Sequence, residues 1–163
     1  MLPTSVLPPD AVTSEPERLR AELATIDGAM ARHRQSTLEL AELLATRKRI
    51  YETMTPRSRR GGAPGRAGGG KSPRGESDGA PVRSHAADAS SRMGLSERSV
   101  RQLVQIAEGI PAPLRDVIRG TPLARRQRLL LEVARARRDP EAQQRRVAAA
   151  LSEPRRPSRE DTG

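Results

Sequence analysis

The stretch "AADASSRMGLSERSVRQLVQIA", residues 86–107, decides how the rest of the chain is read. Two short helical patterns meet at Gly94, where a left-handed backbone is easy only without a Cβ. Two helices that cross at a tight turn need a small residue where their backbones approach, and Ser90 or Ala89 supplies it. Ala89, Met93 and Leu95 are apolar before the second helix. Val100, Leu103, Val104 and Ala107 then recur at i, i+3, i+4 and i+7, which predicts one continuous buried stripe. Ser96 is in place as the N-cap. This is the pattern of a helix-turn-helix.

The opposite face of the second helix carries Arg98, Arg101, Gln102 and Gln105. Arginine pairs with guanine O6 and N7, and glutamine with adenine N6 and N7, so these four are the expected base-contacting residues. Ser96 and Ser99 at the helix start, with the free backbone N–H groups there, suit phosphate. Arg92, Arg115, Arg119, Arg125 and Arg126 complete the expected phosphate-contacting set. A solvated polar face is the plainer reading of the same residues. The glycine turn, the small-residue crossing and the apolar stripe, all in register, favour the reader.

Bulk composition agrees. The chain has 163 residues, a formal net charge of +10 and only 1% aromatic residues, Tyr51 being the single one. A core must therefore be built from Leu, Val, Ile, Met and Ala, and is modest in size. Nearly all the positive charge is arginine, which suits phosphate and base edges, although a GC-rich coding bias also produces arginine. The absence of cysteine excludes disulfides, thiolate catalysis and zinc fingers. His33 and His85 lie far apart without the spaced partners of a metal site, so no metal and no cofactor is expected. "MLPTSVLPPD" lacks the basic and apolar regions of a signal peptide, and no run approaches a membrane span. The expected setting is intracellular and soluble, with no membrane partner and no small-molecule substrate.

Outward from the deciding stretch, the chain divides into five parts. Residues 1–14 are expected to be a disordered N-terminus. Residues 15–55 form a helical segment: a weak pattern from Glu17, interrupted at Gly28, then a strong one from Ser36. Ser36 and Glu39 have capping-box spacing. Leu40, Leu43, Leu44, Tyr51 and Met54 share one stripe, and Thr55-Pro56 ends the helix. Residues 56–83 are a Gly/Pro/Arg-rich flexible linker. Residues 84–153 form a helix-turn-helix bundle, and residues 154–163 a disordered tail. Beyond the deciding stretch, Gly109 is expected to terminate the second helix, "PLRDVIRG" to be a third, Thr121-Pro122 to open a fourth through "LARRQRLLLEVARAR", and Asp139-Pro140 a fifth. The fold class is all-α: a small helical bundle containing a helix-turn-helix, plus a separate amphipathic helix. For that helix, pairing with a second copy is narrowly favoured over packing on the bundle or binding a separate protein.

"GRAGGGKS", residues 65–72, matches the phosphate-binding loop G-x-x-x-x-G-K-[ST] literally. That loop works only between a buried strand and a helix N-terminus. No apolar strand precedes Gly65, and Pro73 followed by "RGESDG" cannot open a helix. The string reads as linker, and no enzyme chemistry is expected.

"IDGAMARHRQSTLELAELLATRKRIYETMTP" and "AADASSRMGLSERSVRQLVQIAEGIPAPLRDVIRGTPLA" together resemble the latter part of ParB-type partition proteins. The resemblance runs from about Ile26 to Leu151 with the linker variable. It implies a helix-turn-helix that binds a palindromic double-stranded DNA site in the bacterial cytoplasm, on nucleoid or plasmid; a homodimer is the further partner that the amphipathic helix at 36–54 slightly favours. The family's nucleotide-binding N-terminal domain has no counterpart here. Its Glu-Asn-x-x-Arg motif would fall on Gly28, Ala29, Met30, Ala31 and Arg32, of which only Arg32 fits. The resemblance thus implies a truncated or degenerate member without nucleotide hydrolysis. "LARRQRLL" also departs from the family by placing Arg125 and Arg126 after "TPLA". The competing expectation is a helical interaction module whose basic surface is incidental.

Overall fold

A computed structural model describes residues 14–32, 35–56, 58 and 83–152. Those residues form α1 (Glu15–Met30), α2 (Thr37–Met54), α3 (His85–Met93), α4 (Glu97–Gly109), α5 (Ala112–Ile118), α6 (Gln127–Arg135) and α7 (Pro140–Ser152). A short 3-10 turn, Pro122–Arg125, precedes α6. No strand occurs among the described residues, and the fold is all-α.

Local chemistry sets most of the boundaries. Ser36 and Glu39 form the expected capping box at α2: the Glu39 amide donates to Ser36 Oγ, and the Ser36 amide to Glu39 Oε2 at 2.7 Å. Those donors hold the Glu39 carboxyl below the usual glutamate pKa. Ser14 and Glu17 make a second such pair at α1. That helix runs through Gly28 to Met30 rather than stopping at the glycine. Gly28 lies on the exposed face, where the missing side chain costs only propensity. Ser84 and Ser96 cap α3 and α4 through the amides of Ala87 and Ser99. Asp139 Oδ1 accepts from the Ala142 amide at the start of α7, with Pro140 in its first position.

One further boundary differs from the sequence reading. The expected single helix after Thr121 is split. Pro122 opens a 3-10 turn, and a non-helical Arg126 separates it from α6. Gly109 closes α4 as expected, but without a left-handed backbone. It is the last residue of α4, and a Cβ there would lie 2.7 Å from the Ala134 carbonyl oxygen of α6. Its small size is needed for helix approach.

The core is a single cluster drawn from all seven helices and the 3-10 turn. α2 lies against α4 and also touches α1, α3 and α6. Residues 15–55 and 84–152 therefore share one core, and α2 is not a separate helix. Its buried stripe is Leu38, Ala41, Leu44, Arg47 and Ile50, at a spacing of three. Of the stripe expected from sequence, only Leu44 is fully buried; Leu40, Leu43, Tyr51 and Met54 are half-buried at its margin. Each aliphatic side chain withdrawn from water in this way contributes about 1.5–3 kcal/mol.

Arg47 has no exposed surface, yet lies in the middle of this stripe. Its Nε donates to Asp27 Oδ1 of α1 at 2.7 Å and its Nη2 to Asp88 Oδ2 of α3 at 2.6 Å. Burial disfavours its charge, but the two carboxylates outweigh that and raise its pKa above the ordinary arginine value. One guanidinium thus joins three helices. Tyr51 extends the joint: its hydroxyl donates to the Arg83 carbonyl at 2.9 Å, and its ring meets that of His85 edge-on at 5.9 Å.

At the other end of the bundle, buried Gln143 of α7 donates through Nε2 to the Gly109 and Val133 carbonyls at 2.7 and 3.0 Å. The Gly109 carbonyl is the last of α4, and the Val133 carbonyl, in the last turn of α6, also accepts from the Ala136 amide at 3.0 Å. Gln143 therefore caps two helices at once.

Candidate nucleic-acid interface

The segment around Gly94 bends as its sequence requires. Gly94 has φ 67°, in the left-handed region, and its amide closes α3 by donating to the Ser90 carbonyl. Ser90 Oγ donates across the turn to the Leu95 carbonyl at 2.6 Å, and Ala89 is fully buried beneath it. Both residues weighed for the crossing are used, one as the small contact and one as the tie.

Beyond the turn, α4 divides into two faces. Val100, Leu103, Val104 and Ala107 are buried, as expected, and Ile106 joins them. Arg98, Arg101 and Gln105 are exposed. Gln102 is half-buried, and its Oε1 accepts a 3.3 Å hydrogen bond from Gln127 Nε2 of α6. Arg101 bonds Glu97 one turn back and keeps 65% of its side chain exposed. Such an exposed pair is worth a few tenths of a kcal/mol and yields readily to a stronger anion. Arg98 makes no ion pair among the described residues.

The expected phosphate set divides. Ser96 and Ser99 are at the head of α4, their hydroxyls 2.9 Å apart and Ser96 occupied as the cap. Arg125 is exposed on the 3-10 turn and Arg126 follows it, also exposed. Arg115 and Arg119 are placed otherwise. Both reach from α5 to Glu42 of α2, Arg119 through two bonds of 3.0 and 3.1 Å and Arg115 at 3.2 Å. The Glu42 hydrogen bonds raise the Arg119 pKa. Arg92 lies 3.3 Å from Asp88 and 3.5 Å from Asp27, on the rim of the Arg47 joint. These three guanidiniums hold helices together. Sequence spacing shows an arginine's charge but not a carboxylate 77 residues away that neutralises it.

Among the described residues no group of three or more acidic or histidine side chains is arranged to hold a metal. His33 and the string at 65–72 lie outside the described residues. His85 is buried, and burial, then Arg47 and Lys48, push its pKa down to about 4. No helix among the described residues is long and apolar enough to cross a membrane. No protein-family model matches the chain, and neither a curated protein nor a solved structure matches it.

Proposed function

We propose that this protein binds double-stranded DNA, with α4 entering the major groove as the second helix of a helix-turn-helix. The observation that carries the reading is the division of α4. Its apolar half is locked into the core, while Arg98, Arg101 and Gln105 project from the other half behind a left-handed glycine turn. A reading helix must be held rigidly on one side and offer bidentate groups on the other. The resemblance to ParB-type proteins supports the same partner, with plasmid or chromosome partition, or related regulation, as the biological setting. Arg125, Arg126 and the head of α4 supply backbone contacts.

Selection from random duplexes at low salt, followed by titration of the enriched and random pools, tests the proposal. Enrichment of a defined site supports it. Equal, undetectable binding to both pools near 50 mM salt sinks it.

A second reading, a protein-interaction module, is favoured by one feature. α5 and α7 flank an apolar groove of about 520 Å³ whose margin includes Val117 and Leu151. Among the described residues these are the large hydrophobic residues left exposed, at 56% and 41%. Association through this groove would survive high salt and weaken on Val117→Ser, whereas DNA binding would do the reverse.

A further inference from the structure

α4 and α6 run side by side in the same direction. Gln102 meets Gln127 and Gly109 meets Ala134, each pair 25 residues apart in sequence. The C-terminal end of α6 is thereby brought beside the C-terminal half of α4, and between them opens a cleft of about 750 Å³. Arg101, Gln105 and Glu108 of α4, Lys48 of α2, Arg135 at the end of α6 and Arg137 in the turn after it all line this cleft. Glu108 is neutralised by Lys48 at 2.8 Å, and Glu52, also in the lining, has an interaction of its own. Arg135 and Arg137 are exposed and have no ion-pair partner among the described residues. The cleft thus holds, beside the outward residues Arg101 and Gln105 of α4, two guanidiniums without an ion-pair partner among the described residues.

We propose that Arg135 and Arg137 form a phosphate-binding site for the DNA backbone strand flanking the groove that α4 reads. The proposal rests on the DNA-binding reading above and assigns the backbone contact to the end of α6, not to α5, whose Arg115 and Arg119 are consumed by Glu42. A duplex lying along the outer face of α4 puts a phosphate rail on each side of the helix. Gln105 and Glu108 of α4 lead into the cleft, where two arginines with no ion-pair partner among the described residues accept phosphate without breaking a bond described there.

The test is the salt dependence of binding of the full chain to a labelled random-sequence 30-base-pair duplex. The proteins are wild type, Arg135→Ala/Arg137→Ala, and Arg18→Ala/Arg20→Ala. The last pair removes equal charge from α1, which does not line the cleft. If two phosphates are neutralised here, the slope of log K against log salt flattens by about 1.8 in the α6 variant alone. Between about 50 and 200 mM salt, wild type then loses roughly 12-fold more affinity than that variant. Equal slopes in the two double variants overturn the site while leaving the reading by α4 intact, since Arg101→Ala still weakens binding. Absence of wild-type binding at low salt overturns both. Tighter binding to single-stranded RNA of the same length, lost in the α6 variant, overturns the assignment to a duplex rail.

Discussion

Gly109 on α4 and Ala134 on α6 approach so closely that a Cβ on the glycine would lie 2.8 Å from the alanine Cβ. The contact sets the distance and register of the two helices that line the basic cleft. Gly109→Ala is therefore an overpacking change, expected to cost about 1–3 kcal/mol. Urea unfolding followed by helical circular dichroism measures it. Gly28→Ala, where a Cβ meets nothing within 4 Å in the last turn of α1, is expected to leave stability unchanged or raise it.

Removing Arg47 leaves Asp27 and Asp88, with side chains 22% and 20% exposed, facing a vacated site. Arg47→Ala is expected to destabilise by about 3–5 kcal/mol, the range for stranding buried charge. A double-mutant cycle with Asp88→Ala then gives a large coupling, because the two residues share one network. Additive effects would show that the joint is incidental to stability.

His85 makes stability depend on acid. Its folded pKa, pushed down to about 4, lies below its unfolded value of 6.5. Between these values the unfolded chain binds the additional proton, so stability is intact above about pH 6.5 and falls as pH drops toward 4. A loss on the order of 2 kcal/mol is expected over that window. Thermal melts of wild type and His85→Gln at pH 7.5 and 4.5 check it: the variant should lose less on acidification, and parallel losses would contradict the assignment.

Leu44 is fully buried, so Leu44→Ala is expected to cost about 2–5 kcal/mol and to leave the oligomeric state of the remaining folded protein unchanged. Analytical ultracentrifugation beside chemical denaturation separates these outcomes. A stable variant with an altered oligomeric state would return α2 to the role of an association helix.

On the proposed reading face of α4, Glu97 pairs with Arg101. Glu97→Gln is expected to increase affinity for duplex DNA a few-fold at low salt. Arg101→Ala narrows the gap between the selected and random sequences, and Arg125→Ala weakens both alike. Fluorescence anisotropy on the two duplexes distinguishes the three effects.

Much of this architecture was legible because its causes are local. Ser36 with Glu39, Ser96 before α4, and Gly94 at the turn announce themselves within four residues. The α4 stripe was legible for the same reason. What escaped were relationships between distant residues. Arg47 looks like any helix-surface arginine until Asp27 and Asp88 close on it from two other helices. The expected α2 stripe followed its leucines, whereas tertiary packing selected the face centred on Leu38, Leu44 and Ile50. Gln143 gave no sign of its partners, since the carbonyls it caps belong to two other helices. At the candidate interface, the outward residues of α4 followed from periodicity, while the fate of each nearby arginine depended on which carboxylate the fold brought to it.

α4 touches α2, α3 and α6 together. A helix gripped from three directions has no freedom to tilt or slide without melting its surroundings. On the proposed DNA-binding reading, changes of sequence preference in such a scaffold would come by exchanging the outer side chains at positions 98, 101 and 105, one at a time, over an unmoving strut. Divergent copies of this chain would then differ first at those positions, and their backbones would superpose.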